Sequence, residues 1–186
     1  DIFNDSYGVE KNNISKEYID SSEKLNPNNR DNIVGIQSQI WSETIRNEDI
    51  LDYMFMPNII VFSQKAWSQD PEWMKISDKT KREYTLDYEW NKFTNTIGQR
   101  VLPIIDNIYG GLSYDLPKPG GIIKNDSLYA NSVFPGLIIK YTLDGSLPNI
   151  KSMNFNDPIK LNQDDIVNLR LFDNRGRGGY AIQVDK

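Results

Sequence analysis

The stretch Ile33 to Glu43, "IVGIQSQIWSE", decides how this chain is read. It is apolar and β-branched at the start, and turn formers precede it (Asn28, Asn29, Arg30, Asp31, Asn32). That pattern predicts a β-strand over Ile33–Trp41. Trp41 and Glu43 then stand two residues apart where the strand should stop. Side chains at i and i+2 of a strand point to the same face. The expectation is a flat indole and an anionic acceptor presented together from one strand end. Read from the residues alone, two roles stay open. The pair is either a binding surface, or a Trp closing a core beside a Glu that caps the next helix.

Downstream, Asn47 is a good N-cap, and Glu48 and Asp49 suit the positive end of a helix. Leu51, Met54, Phe55, Ile59 and Phe62 recur at helical spacing, with Pro57 predicting a kink or break among them. Ile59-Ile60-Val61-Phe62 is apolar all round, which predicts a helix buried on most sides. Residues 68–79 read as a turn-rich connection. A further helix is predicted over 83–101, with Leu86, Trp90, Phe93, Ile97 and Val101 on one face as core and Pro103 ending it. Trp67 and Trp73 are likewise read as packing residues. Upstream, residues 1–32 are polar and Asn-rich. One short helix is expected there, capped by Asn13 and anchored by Ile14, Tyr18 and Leu25.

A single strand cannot make a sheet, and the apolar helices need a larger partner surface. Residues 1–108 are therefore expected to be the closing piece of an α/β domain whose other strands lie upstream. The start at Asp1, without Met, reads as a processed chain or a piece of a longer one. From Gly110-Gly111 onward the character changes. Gly and Pro cluster, and short alternating segments appear at Ile138–Leu143, Val167–Phe172 and Tyr180–Val184. Asp144-Gly145 and Asn174-Arg175-Gly176 read as turns. A small antiparallel β-sandwich is predicted over 109–186.

Composition narrows the chemistry. The 186 residues include no Cys and no His, so thiolate chemistry and any Ser-His-Asp arrangement are excluded. The net charge is −5 and the basic residues are scattered, which argues against nucleic acid as a partner. No stretch approaches the roughly 20 apolar residues of a membrane span. Asp144-Gly145 and Asp164-Asp165 read as solvated turns with too few ligands for a metal. No cofactor is expected.

Two sets of residues resemble a known family. Gly35, Gln37, Trp41 and Glu43, with Ile40 in a Leu place, resemble the Gly-x-Gln-x-x-Leu-Trp-x-Glu pattern on the eighth barrel strand of the family 20 glycoside hydrolases. These are the β-N-acetylhexosaminidases and chitobiases. Phe55, Pro57, Ala66 and Trp67 resemble the helix motifs that follow it. "LSYDLPKPGG" (Leu112–Gly121) and "LYANSVFPGLIIKYTLDGSLP" (Leu128–Pro148) are similar to the immunoglobulin-like C-terminal domain of bacterial chitobiases.

The resemblance implies the last strand and helices of a (β/α)8 TIM barrel, followed by a small immunoglobulin-like β-sandwich. It implies a retaining exo-enzyme releasing terminal N-acetylhexosamine from chitin oligosaccharides or glycans. The substrate's own acetamido oxygen would be the nucleophile, one of the exceptions to the two-carboxylate scheme. Trp41 would wall the acetamido pocket and Glu43 would accept bonds from sugar hydroxyls. The catalytic Asp-Glu pair would lie upstream, on another part of the same enzyme, so no catalytic residue is expected in this chain. A weaker match, Phe3-Asn4-Asp5 against the family's Tyr-x-Asp, offers Asp5 as a further sugar carboxylate, although Phe3 lacks the family's hydroxyl. Asn58, Gln64-Lys65 and Asp115 also depart from the family's charged residues. The resemblance further implies a bacterial periplasmic or extracellular location. The alternative function is a non-catalytic sugar-binding or scaffolding piece, or a degenerate paralogue.

Overall fold

The computed structural model describes residues 26–185, Pro57 excepted. The short helix expected around Asn13 lies outside the described residues. The chain divides into two compact units, Asp1–Phe93 and Thr94–Lys186, and each is described by itself.

In the first unit a 3₁₀ turn (Pro27–Asn32) leads into residues 33–42, which carry no regular secondary structure. The predicted strand Ile33–Trp41 is thus corrected: it joins no sheet among the described residues. The reason is physical. A strand is defined by its ladder, and without a neighbour its N–H and C=O groups go to water. The side chains follow the same logic. Ile33, Ile36, Ile40 and Trp41 are exposed, and Val34 reaches 102% exposure.

Helices α1 (Glu48–Phe55) and α2 (Asn58–Trp67) come next, interrupted where Pro57 predicted. Asn47 caps α1, its Oδ1 accepting the Ile50 N–H at 2.9 Å. Across the break, the Asn58 side-chain amide donates to the Met54 carbonyl at 3.1 Å. Neither helix has a fully buried residue, which corrects the expectation of burial on most sides. Leu51, Tyr53 and Phe55 are exposed, and Trp67, expected to pack, is 89% exposed. The apolar surface is present, but no described element covers it.

A 3₁₀ turn (Glu72–Lys75) precedes the long helix α3 (Lys79–Thr96). Trp73 and Leu86 are buried there, as expected. Arg82 is buried too, donating from one guanidinium nitrogen to the Ile76 and Ser77 carbonyls at 3.0 and 3.2 Å. Trp90 and Phe93 stack tilted, 6.0 Å between centroids.

The second unit starts inside α3. Pro103 was expected to end this helix, but it does not. A π-helical turn (Ile97–Val101) follows, then α4 (Leu102–Ile105) with Pro103 in its first turn. The Leu102 N–H bonds to the Ile97 carbonyl, five residues back. The wider turn opens the ladder where proline would otherwise clash with a carbonyl and leave it unpaired. Ile97, Leu102 and Ile105 are buried.

Two antiparallel sheets follow. One has the order β1-β2-β5, from Gly120–Lys124, Ser127–Asn131 and Ile159–Lys160. The other has the order β4-β3-β6-β7, from Met153–Asn154, Ile138–Thr142, Val167–Phe172 and Gly178–Val184. Inward residues of both sheets share one core: Leu128 from the first, and Tyr141, Val167, Leu169 and Val184 from the second. Leu128 and Leu169 are fully enclosed, each at 0% exposure. Gly98 lets the loop before β3 approach the helix. A Cβ there would lie 2.0 Å from the Pro135 carbonyl oxygen.

A buried ionic cluster ties the end of α4 to the β6–β7 turn. Arg177 donates from Nε to Asp173 at 2.5 Å, and from its two terminal nitrogens to Asp106 at 2.9 Å and the Leu112 carbonyl at 2.8 Å. Its guanidinium also lies over the Tyr114 ring, 4.7 Å from the centroid. Asp173, 1% exposed, further accepts the Arg175 and Arg177 backbone N–H groups.

Candidate functional site

Trp41 and Glu43 lie just before α1, at a tight turn. The Ile45 N–H donates to the Ser42 carbonyl at 3.1 Å, and the Thr44 hydroxyl reaches the Met54 sulfur at 3.8 Å. The turn therefore starts between the two side chains. The same-face argument for a strand end does not apply to this geometry, because only the ladder of a sheet would hold residues 41–43 extended. Trp41 is 73% exposed and Glu43 is exposed as well. Asp5, the third candidate, lies outside the described residues.

The chemistry available at this segment is recognition. An exposed indole offers a flat apolar face with one N–H donor. A carboxylate offers strong charge-assisted acceptance of hydroxyl protons. Among the described residues, no group of three or more carboxylates is arranged to hold a metal ion. The Asp144 carboxylate is held below its usual range by hydrogen bonds from the Ser146 hydroxyl and N–H, at 2.6 and 3.0 Å. It closes the turn after β3, as its sequence context suggested.

The Arg177 cluster was missed from sequence. Arg177 and Asp106 are 71 residues apart, and no local pattern links them.

Residues 3–70 match the glycosyl hydrolase family 20 catalytic domain, and residues 102–180 match the chitobiase/beta-hexosaminidase C-terminal domain. The two matches fall in this order along one chain, so the chain is similar to the family 20 glycoside hydrolases in both of its parts. Among its relatives is the N,N'-diacetylchitobiase of Vibrio harveyi, 34% identical over 121 residues, covering 60% of this chain and 13% of that protein. Another is a beta-hexosaminidase of Vibrio vulnificus, 29% identical over 168 residues, covering 81% of this chain and 19% of that protein. The chain thus spans under a fifth of the length of either curated relative.

Proposed function

We propose that this chain forms part of a retaining, substrate-assisted exo-β-N-acetylhexosaminidase. Its residues 33–43 hold the sugar, and its substrate is an oligosaccharide ending in N-acetylglucosamine. The supporting observation is the family 20 catalytic-domain match over residues 3–70, which includes the Trp41-x-Glu43 pair. In this reading Ile33–Trp41 is the last strand of a (β/α)8 barrel completed by the rest of the enzyme. Residues 1–108 belong to that barrel, and 109–186 form an immunoglobulin-like sandwich. The exposed apolar side chains of residues 33–41, α1 and α2 support it, because they are the surface such a barrel would cover.

The roles follow from chemistry. Trp41 packs against the C–H face of the N-acetyl sugar, and Glu43 accepts bonds from its hydroxyls; Asp5 is a further hydroxyl acceptor. An Asp-Glu pair on the upstream part of the same enzyme does the bond breaking. Its Glu gives a proton to the leaving oxygen, while its Asp orients the acetamido group whose carbonyl oxygen attacks the anomeric carbon. A bacterial periplasmic or extracellular location belongs to the same proposal.

The test is Glu43→Gln in the longer enzyme. Loss of a charge-assisted hydroxyl contact should lower kcat/KM for an aryl N-acetylglucosaminide by about 2–4 kcal/mol of transition-state binding. An unchanged kcat/KM would remove the role given to Glu43. Sugar binding without any turnover by the longer protein would favour the non-catalytic alternative.

A further inference from the structure

The sheets of the second unit enclose their apolar residues, but the segment leading into them does not. Ile104 is 59% exposed, Ile108 37% and Tyr109 96%. The Asn107 N–H donates to the Ile104 carbonyl at 3.0 Å, so the helical course of α4 carries on past its end. Ile104 and Ile108, four residues apart, therefore share a face. Leu102 and Ile105 are buried. Residues 103–110 hold one charged side chain, Asp106, and it is buried and paired with Arg177. The exposed surface of this stretch is uncharged and mostly apolar.

The backbone adds an independent sign. A 3₁₀ turn (Ile108–Gly110) ends the segment. Tyr109, Gly110 and Gly111 all have positive φ, at 50°, 82° and 93°. Glycine takes that conformation freely, whereas a Cβ crowds the backbone carbonyl. Gly111 has to be glycine, because a Cβ there would lie 2.6 Å from the Asp106 carbonyl oxygen and closer still to the Arg175 guanidinium. Tyr109 is the exception. A bulky aromatic residue is held left-handed, and its ring, almost wholly in solvent, gains no burial to offset the strain. The turn is fixed by the Gly111 and Leu112 N–H groups, which donate to the Ile108 and Ile105 carbonyls at 2.7 and 3.1 Å. The strained backbone holds a tyrosine ring outward beside two isoleucines.

We infer that Ile104, Ile108 and Tyr109 form a docking surface for the upstream polypeptide of the same enzyme, the part outside this chain. This rests on the proposed function, which supplies that polypeptide. Two observations select the occupant. The chain covers 13% and 19% of its two relatives, so most of such an enzyme lies elsewhere. The patch also stands at the start of the C-terminal match (residues 102–180), the end whose chain runs back to the catalytic match (residues 3–70). A partner on the same polypeptide is present at high effective concentration, so a small patch suffices where a free protein would need a standard-sized interface. A sugar bound here would lack the charge-assisted acceptors that hold its hydroxyls, because this surface carries no carboxylate.

Hydroxyl-radical labelling, read by mass spectrometry, tests the surface in the 186-residue chain and in the longer enzyme. Tyr109 should label freely in the chain and several-fold less in the enzyme. Equal labelling overturns the surface. So does protection in the chain alone that appears with rising protein concentration or with added N-acetylglucosamine oligosaccharide, since the occupant is then a second copy or a sugar. Tyr109→Asn gives a second reading, because Asn tolerates the left-handed backbone. In the chain, amide protection at Gly111 and Leu112 should hold or rise, by up to about tenfold, as strain is relieved. In the longer enzyme the same substitution should lower that protection, because the docked ring is gone. A change of the same sign in both overturns the surface. Turnover of an aryl N-acetylglucosaminide by the longer enzyme is followed alongside. Turnover with a freely labelled Tyr109 removes the surface and leaves the proposed function standing. A protected Tyr109 without turnover keeps the surface and removes that function.

Discussion

The two halves of this chain use apolar residues in opposite ways. In the sheet unit, Leu128, Tyr141, Val167, Leu169 and Val184 face one another across two sheets and are enclosed. In residues 33–67, Val34, Trp41, Leu51, Phe55 and Trp67 are exposed. Large contiguous apolar exposure marks a surface that works in contact with something else. The difference teaches that hydrophobic patterning states what a segment needs, whether or not the partner is present. The sheet unit meets that need within itself. The segment around Trp41 does not meet it within the described residues.

The contrast predicts a graded series of stability effects, readable by denaturant unfolding of the chain. Leu169→Ala should be the most damaging, at about 2–5 kcal/mol, because it empties a fully enclosed site between the sheets. A loss below about 1 kcal/mol would break the comparison by showing that the core can collapse around the gap. Gly98→Ala should cost about 1–3 kcal/mol, since its methyl meets the Pro135 carbonyl and the helix and loop must part. Asn47→Ala should cost about 1 kcal/mol, read locally as lost amide protection in α1. Val34→Ala should change the stability of this chain by no more than about 0.5 kcal/mol, because the side chain is fully exposed. The same substitution in the longer enzyme should cost more, and equal effects in both would argue against a covered strand.

Much of this was legible in the sequence wherever local chemistry decides the outcome. Asn47 reads as a cap and acts as one, and the proline break between α1 and α2 falls where expected. The strands at Ile138–Thr142, Val167–Phe172 and Gly178–Val184 follow their alternation and turn residues. Other features depended on what local pattern does not carry. The β1–β2 hairpin escaped notice because its turn, Asn125-Asp126, holds two left-handed residues without a glycine. Pro103 was read as a stop because a π-helical turn, which accommodates it, has no simple sequence signal. The Asp106–Arg177–Asp173 cluster joins two distant segments, the end of α4 and the β6–β7 turn, and exists only once the sheets have formed. At the candidate site the residue types were readable, but their shared face was not, because a strand's geometry belongs to its neighbours as much as to itself.

The most direct test of the account is amide exchange over Ile33–Trp41, measured in this chain and in the longer enzyme. The account predicts near-unprotected exchange here, and slowing by about a thousandfold or more in the enzyme, where the segment would be the closing strand of a barrel. Fast exchange in both, or strong protection in this chain alone, would contradict it.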